Sequence, residues 1–491
     1  MAAAAMVGAT TAAAPRPPRC YGPAPARGAR ARAAVRGTSA ARRAPVREAR
    51  REGGRTASAQ ARRGGAPALA RDRGARQTAL AAAAAAQAGA LQPPASGGCS
   101  YTDAVVNVVK AIMGAGAFAL PWAFARGGVV LTPFVLVFSG VISLYTLSVL
   151  VRTQNLAVAE NVATSEEVGS YAGVAKASLG GLGDKICRVM NGVTCFGICC
   201  AYLVFIANTL ESTPMFKGWA SKTLIYAITP VMVALSWLRE LGGVSLISAF
   251  GNFTVVLGMS FVTWYASALI TPASVGALPV SNLGAFSAFF GPVAFLFFTH
   301  FSMPGIRGGM AEPDRFFSAA FVGFAMCTVV SIAFGAYCAV AFGPSVASVV
   351  VAMLEGNAVA TIVKLLLCAN LLSTFPIVAR SGFLILEDLA HAHTNPEAMK
   401  AGKELPAPMA LTLRSMSVVL AALCAASVPN FGAVIGIVGG FCCSVLTLVL
   451  PPVMLYFLRA KVGAKQGSEA VLLWVVFALG VAASVCSVVF A

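Results

Sequence analysis

The sequence predicts an all-α integral membrane protein of 11 transmembrane helices, and three observations carry that reading. The 491 residues are 58% hydrophobic and 11% charged, with a mean hydropathy of +0.79, far more apolar than a water-exposed surface permits. From about Ala104 onward apolar stretches recur that are long enough to cross the ~30 Å hydrocarbon layer as helices. Lys and Arg, finally, fall unevenly on the two sides of those stretches.

Residues 1–100 are mainly Ala, Arg, Gly and Pro with few large apolar side chains, so they cannot bury enough surface to offset the entropy of ordering. They hold seventeen arginines, Arg16 to Arg76, against Glu48, Glu52 and Asp72, which is +14 of the chain's +18. The excess charge is therefore a property of one tail, and nucleic acid is not an expected partner. A disordered, basic tail is expected there. Its Arg-rich, acid-poor composition fits an organelle transit peptide, while the lack of an apolar stretch near Met1 argues against a secretory signal. A solvated tail drawn to anionic lipid fits equally.

Residues 101–491 make up the membrane domain. Hydrophobic spans fall near 104–126, 128–152, 186–210, 222–239, 244–270, 286–306, 316–343, 358–386, 409–428, 431–458 and 470–490. Short cytoplasmic loops retain positive charge. With the tail on the cytoplasmic side, the inner loops carry Arg152, Lys176, Lys185, Arg188, Arg239, Arg307, Arg315, Lys400, Lys403, Arg414, Arg459, Lys461 and Lys465. The outer loops carry only Arg126, Lys217 and Lys222. One helix more or fewer spoils this bias, so charge supports both the count and a cytoplasmic N-terminus in the multi-pass arrangement.

Ten of the 13 cysteines, Cys195 and Cys443 among them, lie inside apolar stretches, where a free thiol packs as a small hydrophobe. None has polar or His neighbours at metal-ligand spacing, so neither a metal nor a cofactor is expected.

Two spans carry breakers that a continuous helix does not need. The first reads Gly114-Ala115-Gly116 and then Leu120-Pro121; the sixth has Gly291-Pro292, Thr299-His300 and Pro304-Gly305. An opened backbone in hydrocarbon leaves polar groups unpaired unless water, protein or ligand meets them. Interruptions in spans one and six have the spacing of an inverted five-plus-five helix repeat, with the binding site at the midplane between discontinuous helices. Half-helix N-termini offer free N–H groups to a carboxylate and half-helix C-termini offer carbonyls to an ammonium group, a match for a zwitterion. The backbone at Gly114, Ala115 and Gly116 would take the carboxylate, and carbonyls near Phe298 and Thr299 the amine. The competing reading is that these glycines only let helices pack closely. Gly114-Ala115-Gly116 is not a dinucleotide fingerprint, because the third glycine and the preceding strand are missing.

The stretch from Asn107 through Lys110, Gly114, Gly116, Leu120 and Pro121 to Phe124 resembles the first helix of the amino acid/auxin permease family, part of the wider amino acid, polyamine and organocation transporters. Ala294 to Phe316, with His300, Pro304, Ile306, Met310 and Pro313, is similar to that family's sixth helix and following loop. Ser373-Thr374-Phe375-Pro376 with Arg380 resembles the eighth, and Pro429 to Gly440 with Leu450-Pro451-Pro452 the tenth. The resemblance covers residues 101–491. It implies an 11-helix, 5+5 inverted-repeat transporter fold, alternating access and an amino acid substrate.

Sodium-coupled relatives resemble this stretch but carry an ion-ligating Asn where Lys110 stands. A lysine cannot ligate a cation, and proton-coupled relatives also have Lys there, so the resemblance implies proton coupling or sodium-independent exchange. Lys110 either faces the bundle interior, since charge is costly in hydrocarbon, or snorkels to the inner surface. Ser373 and Thr374 either meet the Lys110 ammonium group or bond backbone beside Pro376. His300 either titrates with transported protons or is a hydrogen-bonded structural residue. Lys364 is expected to reach the outer interface.

The expected function is secondary transport, with neutral amino acids as substrate, by a protein that is a symporter and not an enzyme, since no carboxylate pair, Ser/His/Asp set or metal cluster appears. Two rivals stay open: a membrane amino acid sensor signalling through the basic tail, and a carrier of auxin-like or other small carboxylates. Plasma, vacuolar and plastid or mitochondrial envelope membranes all fit the composition.

Overall fold

The computed structural model describes residues 98–238, 244–271, 276–355, 357–394, 405–428 and 430–489, without the side chains of 244–249. The expected basic tail, and with it the transit or lipid-binding reading, lies outside the described residues up to 97, as do Arg239, Lys400 and Lys403.

A chain in hydrocarbon must pair its own backbone groups, and the helix does so within each segment. α1 (Tyr101–Ile112) starts on a reciprocal cap. The Asp103 amide donates to Ser100 Oγ, and the Ser100 amide donates to the Asp103 carboxylate at 3.1 Å. A 3-10 turn, Ala115–Ala119, leads into α2 (Leu120–Gly127), and the two parts of this crossing are bent by 46°. Then follow α3 (Leu131–Ala159), α4 (Tyr171–Glu211), α5 (Ser221–Ser236) and α6 (Val244–Ser267). The sixth hydrophobic stretch divides into α7 (Phe286–Leu296) and α8 (Met303–Gly308). The rest is α9 (Phe316–Phe342), α10 (Ala358–Thr394), α11 (Ala407–Ser427), α12 (Phe431–Ile437), α13 (Leu450–Lys461) and α14 (Glu469–Val489). Two π-helical turns, Val438–Cys443 and Val445–Val449, join α12 to α13 in one crossing.

Among the described residues, seven helices are long and apolar enough to cross a membrane, and the bent α1–α2 pair makes an eighth. Shorter or divided helices occupy the stretches at 222–239 and 286–306, and α6 that at 244–270. The protein is thus an all-helical, multi-pass integral membrane protein. α4 turns sharply at Gly180, whose φ of 67° is open to glycine without a Cβ clash. Residues 171–179 therefore run as a separate short helix before the crossing proper.

α10 packs along α4 and α6, α1 and α2 lie against α9, and α7 lies against α12 and the first π turn. At that last contact a Cβ on Gly291 would stand 2.3 Å from Gly436 Cα, so the two backbones touch. The helix continues through Gly291-Pro292, which serves packing here; the interruption comes six residues later.

Polar contacts sort the helix ends into two faces. On one, Cys99 pairs with Gly309 and Ala311, Arg307 donates to Gln154 and Asn155, and Arg152 and Arg459 both pair with Glu469. Lys461 donates to the Ala177 carbonyl, Arg188 pairs with Asp184 and Asp388, and Arg414 pairs with Glu387. In the loop between α3 and α4, the Thr164 amide and hydroxyl donate to Glu167 and hold its carboxyl below the usual carboxylate range. On the opposite face the Val129 and Val130 amides donate to Pro279 and Val280 carbonyls, and Ser221 donates to Asn208. Arg152, Arg188, Arg307, Arg414, Arg459 and Lys461 are therefore joined through one set of helix-end contacts.

Candidate functional site

The first crossing opens where the glycines stand. α1 ends at Ile112, and Met113 and Gly114 are extended, with φ/ψ of −85°/95° and −131°/−160°. Among the described residues the amides of Gly114, Ala115 and Gly116 donate no hydrogen bond, and the next amide, of Ala117, turns back to Gly114 O at 3.0 Å. Three adjacent free N–H groups at a helix start form an anion-attracting patch. Pro121 sits in the first turn of α2, where its missing N–H costs no helix bond.

The second opening runs from Phe297 to Ser302, between α7 and α8. The Thr299 carbonyl accepts the Ser302 amide at 3.0 Å and the Ser302 hydroxyl at 2.8 Å, whereas the Phe298 carbonyl accepts nothing among the described residues. Phe298 stacks on Phe301 with ring centroids 4.8 Å apart. Thr299 is wholly buried and its hydroxyl has no partner among the described residues.

The two openings are neighbours. The position of a Cβ on Gly116 is 2.7 Å from Phe295 Cδ1, so the ring of α7 closes directly over the first opening, while a Cβ on Gly114 would meet nothing within 4 Å. The Phe295 contact thus brings the end of α7 against the first opening, and there is room at Gly114.

His300 is buried within the second opening. Its Nε2 lies 2.9 Å from Thr146 Oγ1 and 3.1 Å from the Ser143 carbonyl, both on α3, and Nδ1 has no partner among the described residues. With the proton on Nε2 the ring donates to α3 and ties the opened backbone to a continuous helix.

Lys110 stands in the last turn of α1, where a cation complements the carbonyl end of the helix. It makes no hydrogen bond among the described residues. The Ser373 hydroxyl donates to Ala369 O at 2.8 Å and that of Thr374 to Asn370 O at 2.9 Å, both within α10. The backbone-bonding arrangement is thus the one these hydroxyls adopt in this structure.

Lys364, expected to reach the outer interface, ends at loop carbonyls but is shielded from solvent. It is 2% exposed, and Nζ donates to Ser212 O at 3.0 Å and Leu354 O at 2.6 Å. The carbonyl left free at the end of α4 and that of the turn before α10 solvate the ammonium group in place of water. Phe295, one of the aromatic side chains expected to close the pocket, is the cover of Gly116, whereas sequence reading passed over Asn191 and Ser381, each with a buried oxygen lacking a partner among the described residues. The only signal was a polar side chain within an apolar span, which many packed membrane helices share.

Residues 97–491 match the family described as transmembrane amino acid transporter protein. The chain is 27% identical over 396 residues to amino acid transporter AVT3C of Arabidopsis thaliana, covering 77% of this chain and 87% of that one. It is 26% identical over 364 residues to amino acid transporter ANT1 of the same plant, covering 70% and 82%. Among solved structures it is similar to the inward-facing conformation of Mhp1 (TM-score 0.48, 14% identity, 81% and 92% covered). It is also similar to MhsT in complex with L-phenylalanine (TM-score 0.46, 11% identity, 79% and 97% covered). With four-fifths of its length matched by a family of carriers rather than enzymes, this multi-pass chain belongs to the transmembrane amino acid transporter family.

Proposed function

We propose that the protein is a secondary carrier of neutral amino acids, working by alternating access with 11 crossings in a five-plus-five inverted repeat and its N-terminus in the cytoplasm. The observation that carries this reading is the pairing of two openings. The Gly114, Ala115 and Gly116 amides suit a carboxylate, the Phe298 carbonyl with the Thr299 backbone suits an ammonium group, and Phe295 ties the two crossings together. The lack of a charged side chain in that set favours neutral side chains on the substrate. The curated relatives, named amino acid transporters, point the same way.

Coupling is assigned to protons, or to sodium-independent exchange, with Lys110 in the role of a fixed cation at the carbonyl end of α1. Ser373 and Thr374 would turn toward it in another state of the cycle. His300 would hold the second opening to α3, as its two contacts with that helix favour. Uptake of a panel of labelled amino acids by purified protein in vesicles, under imposed pH and sodium gradients, tests the whole reading. Accumulation of neutral amino acids driven by an acid outer side, without sodium, is the expected result. Specific binding with no transmembrane movement would instead favour a sensor, and uptake of small carboxylates lacking an amine would redirect the substrate class.

A further inference from the structure

A cavity of about 310 Å3 lies among α3, α7, the π turns between α12 and α13, and α14. Its inner wall includes Ser143, Ala294 and Phe297, and its outer edge Phe138 of α3 and Leu479 of α14, both exposed. All of these belong to membrane-crossing stretches. The walls are almost wholly apolar, and this decides what can fill the space. Ser139, Ser143, Ser444 and Thr447 also line it, but the Ser444 and Thr447 oxygens are buried behind the apolar surface, so the walls offer few of the two to four polar partners that water needs. A zwitterion would be stripped of its hydration with nothing in return, so the cavity is no extension of the substrate site. An empty space of this size would forfeit dispersion contacts on every side. What remains is hydrocarbon, the medium outside Phe138 and Leu479.

We propose that this cavity binds an acyl chain of a bilayer phospholipid, inserted sideways between α3 and α14. The inner end of the chain then lies against the residues that support the second helix opening. Phe297 is the residue at which α7 ends, and its ring stacks on Phe324 of α9 at 5.6 Å. Ser143 supplies the carbonyl that meets His300 Nε2. Occupation by a chain braces that opening from the lipid side. Binding stands independently of the transport reading; only an effect on uptake rests on it.

The test uses full-length protein in nanodiscs of phosphatidylcholine containing a small fraction of phosphatidylcholine with a diazirine near the end of one acyl chain. After irradiation, adducts are mapped by mass spectrometry of the peptides. Adducts at Phe138–Ser143 and Leu479–Cys486 should exceed those around Val329, an exposed residue of α9, by several-fold. Ala483→Trp, which fills the cavity, should abolish the excess. Leu479→Trp at the mouth should do the same, and serves where the first variant does not fold. Val329→Trp should leave the excess unchanged. Uniform labelling of all lipid-facing helices, or an excess that survives both Ala483→Trp and Leu479→Trp, overturns the proposal.

Discussion

Phe295 lies over Gly116, with ring atom Cδ1 2.7 Å from the position a Cβ would take, while Gly114 two residues earlier faces open space. Two glycines of one short motif therefore do different physical work. Gly116 admits a neighbour, and Gly114 leaves room for a guest.

The pair can be separated by mutation. Gly116→Ala must displace a packed aromatic ring, so both thermal stability and uptake should fall. Gly114→Ala sits on extended backbone open to any residue, so stability should hold, while its methyl group enters the proposed site. An apparent substrate affinity weaker by about tenfold, the equivalent of about 1.4 kcal/mol, is expected for it. Melting curves and uptake kinetics on both variants check this, and unchanged affinity in Gly114→Ala would count against the location of the site.

Lys364→Met removes both bonds to Ser212 O and Leu354 O. A buried acceptor left unpaired costs roughly 1–3 kcal/mol, so the variant should melt earlier in detergent, and Lys364→Arg should recover part of the loss. Substrate affinity should stay near that of the parent, because Lys364 joins the end of α4 to the turn before α10 and touches neither opening.

His300→Gln tests whether this ring is a strut or a proton relay. A strut predicts lower stability, by roughly 1–3 kcal/mol for lost buried hydrogen bonds, with the pH profile of uptake unaltered in shape. A flattened profile in a well-folded variant would move His300 into the coupling machinery.

Lys110→Asn replaces a fixed cation by an oxygen-bearing side chain. Uptake should lose its dependence on the pH gradient or gain stimulation by sodium, measured in vesicles with each gradient imposed alone. A variant that stays sodium-independent and pH-dependent would sink the coupling role.

What the sequence alone determined is local in origin. Hydropathy marks the crossings because any 18-residue apolar stretch meets the same solvent. The opening after Ile112 was legible because Gly114 and Gly116 weaken the helix. Tertiary structure alone decided the rest. Gly291-Pro292 has the same breaker character, yet the helix runs through it because Gly436 packs against it, and the gap falls at Phe297–Ser302, where His300 finds Thr146 and Ser143. Lys364 is buried because carbonyls 152 and 10 residues away converge on it. A breaker or a charge declares its cost within its own segment. Whether that cost is met depends on partners from distant segments, and only the folded bundle brings those within reach.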